Sequence, residues 1–168
     1  MTSPIPWPNT ICISTSVRRA DRALTRVYDD ALRPTGLVTT QFSLLSIVAR
    51  APGPLTLGDL AEAQVMDRTT LTRNLAPLVR EGLVLITPVD DRRTRVISLT
   101  ALGGSTLDEA RPRWQEAQEA IIRDAGSERI EHLLDELTSL VEHVRQGRQG
   151  RHGREVRKGR PAAGGEPR

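Results

Sequence analysis

Thr69, Thr72, Arg73 and Ala76 recur at helical spacing within DRTTLTRNLAPLVREG, residues 67–82. At about 100° per residue Thr69, Arg73 and Ala76 share one side of a helix with Arg80, while Leu71, Leu75, Leu78 and Val79 share the other. An arginine can donate to two acceptors on one base edge. Threonine hydroxyls reach bases or phosphates, and the methyls of alanine and threonine fit against thymine. Thr70 and Thr72 flank this face, and Arg68, in the first turn, is placed for a backbone phosphate or for supporting the fold. After Asp67 no acid appears until Glu81. Any amphipathic surface helix has a solvated polar side, so the neighbouring segments must decide between the two readings.

The next segment favours contact with nucleic acid. Leu83–Pro88 and Arg95–Leu99 are strand candidates, and DDRRT between them makes a polar hairpin tip. Arg92, Arg93 and Arg95 crowd this hairpin beside only Asp90 and Asp91. Arginine on a protruding hairpin suits the narrow, electronegative minor groove of DNA. The alternative is a charged turn that keeps a sheet edge soluble.

The elements that must carry these residues can also be read. Thr56 is placed to cap a short helix, Leu57 to about Ala63, and Asp67 to cap the longer one that ends at Gly82. Thr56 and the free N–H groups of the short helix offer a phosphate contact. A helix from about Thr40 to Arg50 precedes them, with Phe42, Leu45 and Val48 on one face, and APGP at 51–54 ends it. Pro77 cannot donate to the carbonyl of Arg73, which predicts a bend in the reading helix. Short helix, turn, longer helix and arginine hairpin make a winged helix-turn-helix over about residues 40–100. The expected fold is mainly α with a small two- to three-stranded β wing.

The flanks are helical. Residues 1–9, with Pro4, Pro6 and Pro8 around Trp7, read as an extended arm. A helix from near Thr10 to about residue 33 carries a narrow seam of Ile13, Val17, Ala20, Leu24, Val27 and Ala31, suited to meeting another helix. Thr100 caps a helix over roughly 101–123, in which Pro112 is expected to force a kink or a break. A last helix from Ser127 bears Ile130, Leu133, Leu134, Leu137, Leu140, Val141 and Val144 at helical period. Residues 147–168 are too rich in Gly and Arg to pack a core and read as a basic, disordered tail, with its arginines placed for non-specific attraction to the DNA backbone or without a defined role.

Bulk properties narrow the function. The tail holds seven Lys or Arg against two Glu, and removing its +5 from the whole-chain +3 leaves −2 for residues 1–146. Attraction to nucleic acid must then come from local clusters. Aromatic residues are 2% of the chain, so the core must be aliphatic. The single cysteine, Cys12, forbids an internal disulfide. No apolar run approaches the ~20 residues of a membrane span, and the N-terminus lacks a secretion-signal pattern, so a cytoplasmic protein with no membrane partner is expected. His132 and His143 would lie about 16 Å apart on one helix, too far to share a metal. Neither a phosphate-cradling glycine loop nor a nucleophile with a nearby base is present. The reading is therefore no enzyme, no cofactor and no metal. A winged-helix module that binds protein instead of DNA is the competing class.

Two segments, Leu57–Val84 and Asp90–Gly103, resemble the multiple-antibiotic-resistance regulator (MarR) family of bacterial transcription factors. The pattern Asp91, Arg93, Leu99, Thr100, Gly103 is characteristic, Tyr28–Leu45 is also similar, and the likeness spans about residues 10–145. The resemblance implies a winged helix-turn-helix embedded in a helical dimerisation domain built from about 10–33 and 101–146. It implies a homodimeric repressor on double-stranded DNA, reading a pseudo-palindromic operator with half-sites about one turn, ~10 bp, apart. Arg93 would enter the minor groove and Asp91 would orient a wing arginine. It further implies release by a small aromatic or phenolic ligand, with no lining residues carried over. Some members instead sense oxidants through a cysteine near the start of the first helix, where Cys12 lies. Cys12 is thus a candidate redox thiol, or a small buried apolar residue.

Overall fold

The computed structural model describes residues 12–89 and 94–158, with side chains as far as 147. The elements in chain order are α1 (Ile13–Leu32), a 3₁₀ turn (Arg33–Thr35), α2 (Thr39–Arg50), β1 (Leu55–Thr56), α3 (Leu57–Ala63), α4 (Arg68–Arg80), β2 (Val84–Pro88), β3 (Arg95–Leu99), α5 (Ala101–Ala125) and α6 (Ser127–Lys158). The chain forms two compact units, residues 1–119 and 120–168. The fold is mainly α with a small sheet.

In the first unit the core is almost wholly aliphatic. Leu32, Leu44, Leu45, Leu60, Leu71, Leu75, Leu78 and Leu107 are buried, with Val84 and Ile97 supplied by the sheet. Trp114 closes one side of this core, its ring 5.4 Å from Phe42 and 6.1 Å from Tyr28. The Tyr28 hydroxyl donates to Gln118 Oε1. Partial burial pushes the Tyr28 phenol above its usual pKa. Asp29 on α1 accepts from both the backbone N–H (2.7 Å) and the hydroxyl (2.5 Å) of Thr39. A side chain of one helix thereby satisfies an open donor at the start of another.

The sheet runs β1–β3–β2, antiparallel throughout. Ile86 and Leu55 both face Ile97, and Ile97 is the buried residue of β3. The third strand, β1, is only Leu55–Thr56, too short to show an alternation that sequence could reveal. On α1 the seam points away from the chain's own core: Ile13 is 66% exposed, and Val17, Leu24 and Val27 are also exposed. Leu32 is the buried residue of that helix.

The second unit begins within α5. Gly126, at φ 88°, turns the chain in the left-handed region that favours glycine. On α6, Leu133, Leu134, Leu140, Val141 and Val144 are exposed.

Three sequence expectations need correction. Of the kink or break expected at Pro112, the break is absent: α5 is continuous through that residue. Pro112 is exposed, so water can reach the carbonyl that loses its donor. The helix α6 continues past Gln146 to Lys158, where disorder was expected; the Arg, Gln, Glu and Lys between the glycines are good helix formers. Residues 159–168 and the arm, 1–9, lie outside the described residues. Val79, expected on the buried side of α4, is 43% exposed, and burial on that helix is confined to Leu71, Leu75 and Leu78.

Candidate nucleic-acid interface

The site starts at Thr56. Its hydroxyl accepts from the Asp59 N–H (3.1 Å), and Asp59 accepts in return from the Thr56 N–H (3.1 Å) and hydroxyl (2.8 Å). This reciprocal cap satisfies open donors at the start of α3. The hydroxyl and N–H of Thr56 hold the Asp59 carboxyl below the usual carboxylate range. The Thr-x-x-Asp spacing is legible in sequence, and Asp59 could have been found with Thr56.

The turn to α4 is tight. Val65 has φ 53°, and the Met66 N–H donates to the Ala61 carbonyl (2.9 Å). Asp67 then caps α4, accepting from the Thr70 N–H (2.9 Å) and hydroxyl (2.6 Å). Those bonds lower the Asp67 pKa. They also commit the Thr70 hydroxyl, which is half-buried, to the fold.

With Leu71, Leu75 and Leu78 in the core, α4 turns Thr69, Thr72, Arg73, Ala76 and Arg80 outward, all exposed. The Thr72 hydroxyl donates to the Arg68 carbonyl (2.8 Å), leaving its oxygen able to accept. Arg80 pairs with Glu81 at 3.4 Å. Arg73 makes no ion pair with any described residue. α4 is continuous through Pro77.

The fold brings Thr56, Arg68, Thr72 and Arg95 together around a hollow of about 290 Å³, which Thr94 and Gly58 also line. A second hollow of about 350 Å³ lies between α4 and the sheet and is bordered by Thr72, Ala76, Val79, Arg80, Ile86 and Arg95. Exposure of Val79 is explained by this gap. Arg95 is exposed where β3 begins, opposite Pro88. Asp91, Arg92 and Arg93 lie outside the described residues. Cys12 is exposed at the N-cap of α1, which removes its reading as a buried apolar residue. The Thr15 N–H and hydroxyl, then the Ser14 N–H and Arg18, pull its thiol pKa down.

A short helix, a tight turn, a cationic polar helix and a sheet with a hairpin define a winged helix-turn-helix protein. The MarR family model matches residues 35–94. An HTH-type transcriptional regulator of Bacillus cereus is 31% identical over 69% of this chain and 77% of its own. The homoprotocatechuate degradative operon repressor of Escherichia coli is 28% identical over 76% of this chain and 88% of its own. The crystal structure of the M. tuberculosis transcriptional regulator MosR in complex with DNA is 38% identical, with a TM-score of 0.72 over 80% of this chain and 99% of that one. The chain belongs to the MarR family and is a DNA-binding transcriptional regulator.

Proposed function

We propose that this protein is a homodimeric repressor that places α4 in the major groove at each half of a pseudo-palindromic operator. The observation that carries the reading is the outward face of α4, which gathers Thr69, Thr72, Arg73 and Ala76 opposite a fully buried leucine row. Arg73 is the base-reading side chain, with two donors for guanine. Thr72 and Thr69 reach bases or phosphates, Ala76 meets thymine, and Thr56, Arg68 and Arg95 hold the DNA backbone. Arg93 enters the minor groove, and Asp91 orients a wing arginine.

The dimer is supported by apolar residues that the chain does not cover itself: Ile13, Val17, Leu24 and Val27 on α1, and Leu133, Leu134 and Leu140 on α6. Release by a small aromatic or phenolic ligand is supported by the relative that represses a homoprotocatechuate degradative operon.

The test is binding to duplexes from the promoter of the protein's own gene. Arg73→Ala should weaken specific binding by about 1–3 kcal/mol and relax the preference at one base position. Wild-type affinity in that variant would refute the assignment. Sedimentation of the free protein should give a dimer, and Leu134→Glu should reduce it to a monomer.

A second reading has a specific observation behind it: the exposed, acidified thiol of Cys12. In that reading, oxidation at Cys12 controls DNA affinity. Peroxide at low excess would then weaken operator binding in the wild type and leave Cys12→Ser unaffected; equal responses in both would end the idea.

A further inference from the structure

The hydroxyl of Thr100 joins three elements. It donates to the Gly82 carbonyl at 2.7 Å, just past the end of α4. It accepts from the Gly103 N–H at 2.9 Å, in the first turn of α5. Its own backbone N–H donates to the Leu83 carbonyl at 3.1 Å, just before β2 begins. The same carbonyl lies against Gly103 so closely that a Cβ there would come within 2.0 Å of it. No side chain separates the root of the sheet from α5 at this point.

We infer that Thr100 is a positioning residue for sequence-specific DNA binding, its hydroxyl fixing the end of α4 and the root of the wing to the first turn of α5. The inference rests on the reading of α4 as the helix that contacts bases. The buried leucines set which side of α4 faces inward, but apolar contacts tolerate sliding. Directional hydrogen bonds to the carbonyls just past its end do not. Base-edge contacts require placement within about 0.5 Å, whereas long cationic side chains on phosphates adjust to a shift. Loss of the hydroxyl should therefore cost discrimination between sequences more than it costs general affinity.

The experiment compares a promoter duplex with a scrambled duplex of equal length. Thr100→Val keeps the shape of the side chain and removes every hydroxyl bond, the longer one to the Leu83 carbonyl (3.3 Å) included. It should lower promoter affinity about tenfold, leaving affinity for the scrambled duplex and the salt slope unchanged. Thr100→Ser should restore promoter affinity to within about twofold. Undiminished promoter binding by Thr100→Val, an equal loss on both duplexes, or failure of serine to restore binding would each overturn the inference. Should Thr100→Val not fold, amide exchange of the wild type decides. The Gly103 N–H has no partner within its own helix, so protection there reports the Thr100 hydroxyl. Exchange at the free-peptide rate would overturn the inference. A wild type that binds both duplexes equally refutes the base-reading role of α4 itself, and the inference with it.

Discussion

α3 and α4 end in the same hydrogen-bond pattern, built on opposite residues. At the end of α3 the Val65 N–H donates to the Glu62 carbonyl and the Met66 N–H to the Ala61 carbonyl. At the end of α4 the Gly82 N–H donates to the Val79 carbonyl and the Leu83 N–H to the Leu78 carbonyl. Both are Schellman closures, which require one residue in the left-handed region. Gly82 occupies it at φ 70° without cost, and Val65 occupies it at φ 53° with a β-branched side chain. The side chain of Val65 is exposed, so burial returns little of that strain. The approach to α4 is thus strained, whereas its exit is relaxed and clasped to α5.

Substitutions at the two ends break or sharpen this contrast. The largest effect is expected at the clasp itself. Gly103→Ala drives a Cβ into the Leu83 carbonyl and should destabilise the fold by about 3 kcal/mol or prevent folding, as read by urea denaturation. Gly82→Val comes next. A Cβ at Gly82 meets nothing within 4 Å, so backbone strain is the main cost, about 1–2 kcal/mol by the same measurement. Val65→Gly should stabilise by a smaller amount, about 0.5–1 kcal/mol, because relief of strain is partly offset by greater freedom in the unfolded chain. A loss of stability in Val65→Gly would show that the valine side chain makes a contact that outweighs the strain.

The smallest effect is that of acid. Asp59 and Asp67 both have carboxyls held below their ordinary pKa by hydrogen bonds to Thr56 and Thr70. Their contribution is complete above the ordinary value of 3.8 and is lost as pH falls through the lower folded value. Thermal unfolding across that range should show a decline that Asp67→Asn makes shallower, since asparagine still caps α4 but does not titrate.

Much of this was legible in the chain because the signals are local. Thr56 and Asp67 announce the starts of α3 and α4, the leucine period orients α4, and Thr100 marks the start of α5. What escaped is non-local or contrary to residue preference. β1 exists only because β3 lies beside it. Asp29 caps a helix other than its own. Nothing in the type of Val65 suggests a left-handed turn. Angle alone puts Val79 inward, yet the adjoining hollow leaves it open. The Thr100 bond to Gly82 spans both β2 and β3 in sequence, so the periodicity of neither partner reveals it.

The aromatic stack has a consequence for how the protein can be watched. Trp114 on α5 lies between Phe42 on α2 and Tyr28 on α1. The other tryptophan of the chain is Trp7. With Trp7 replaced by phenylalanine, all indole emission comes from the meeting point of those three helices, and Tyr28 is close enough to pass its excitation to it. The chain then carries its own optical gauge, and a shift of α1 or α2 during titration with DNA or a small molecule becomes a change in colour and brightness without any attached dye.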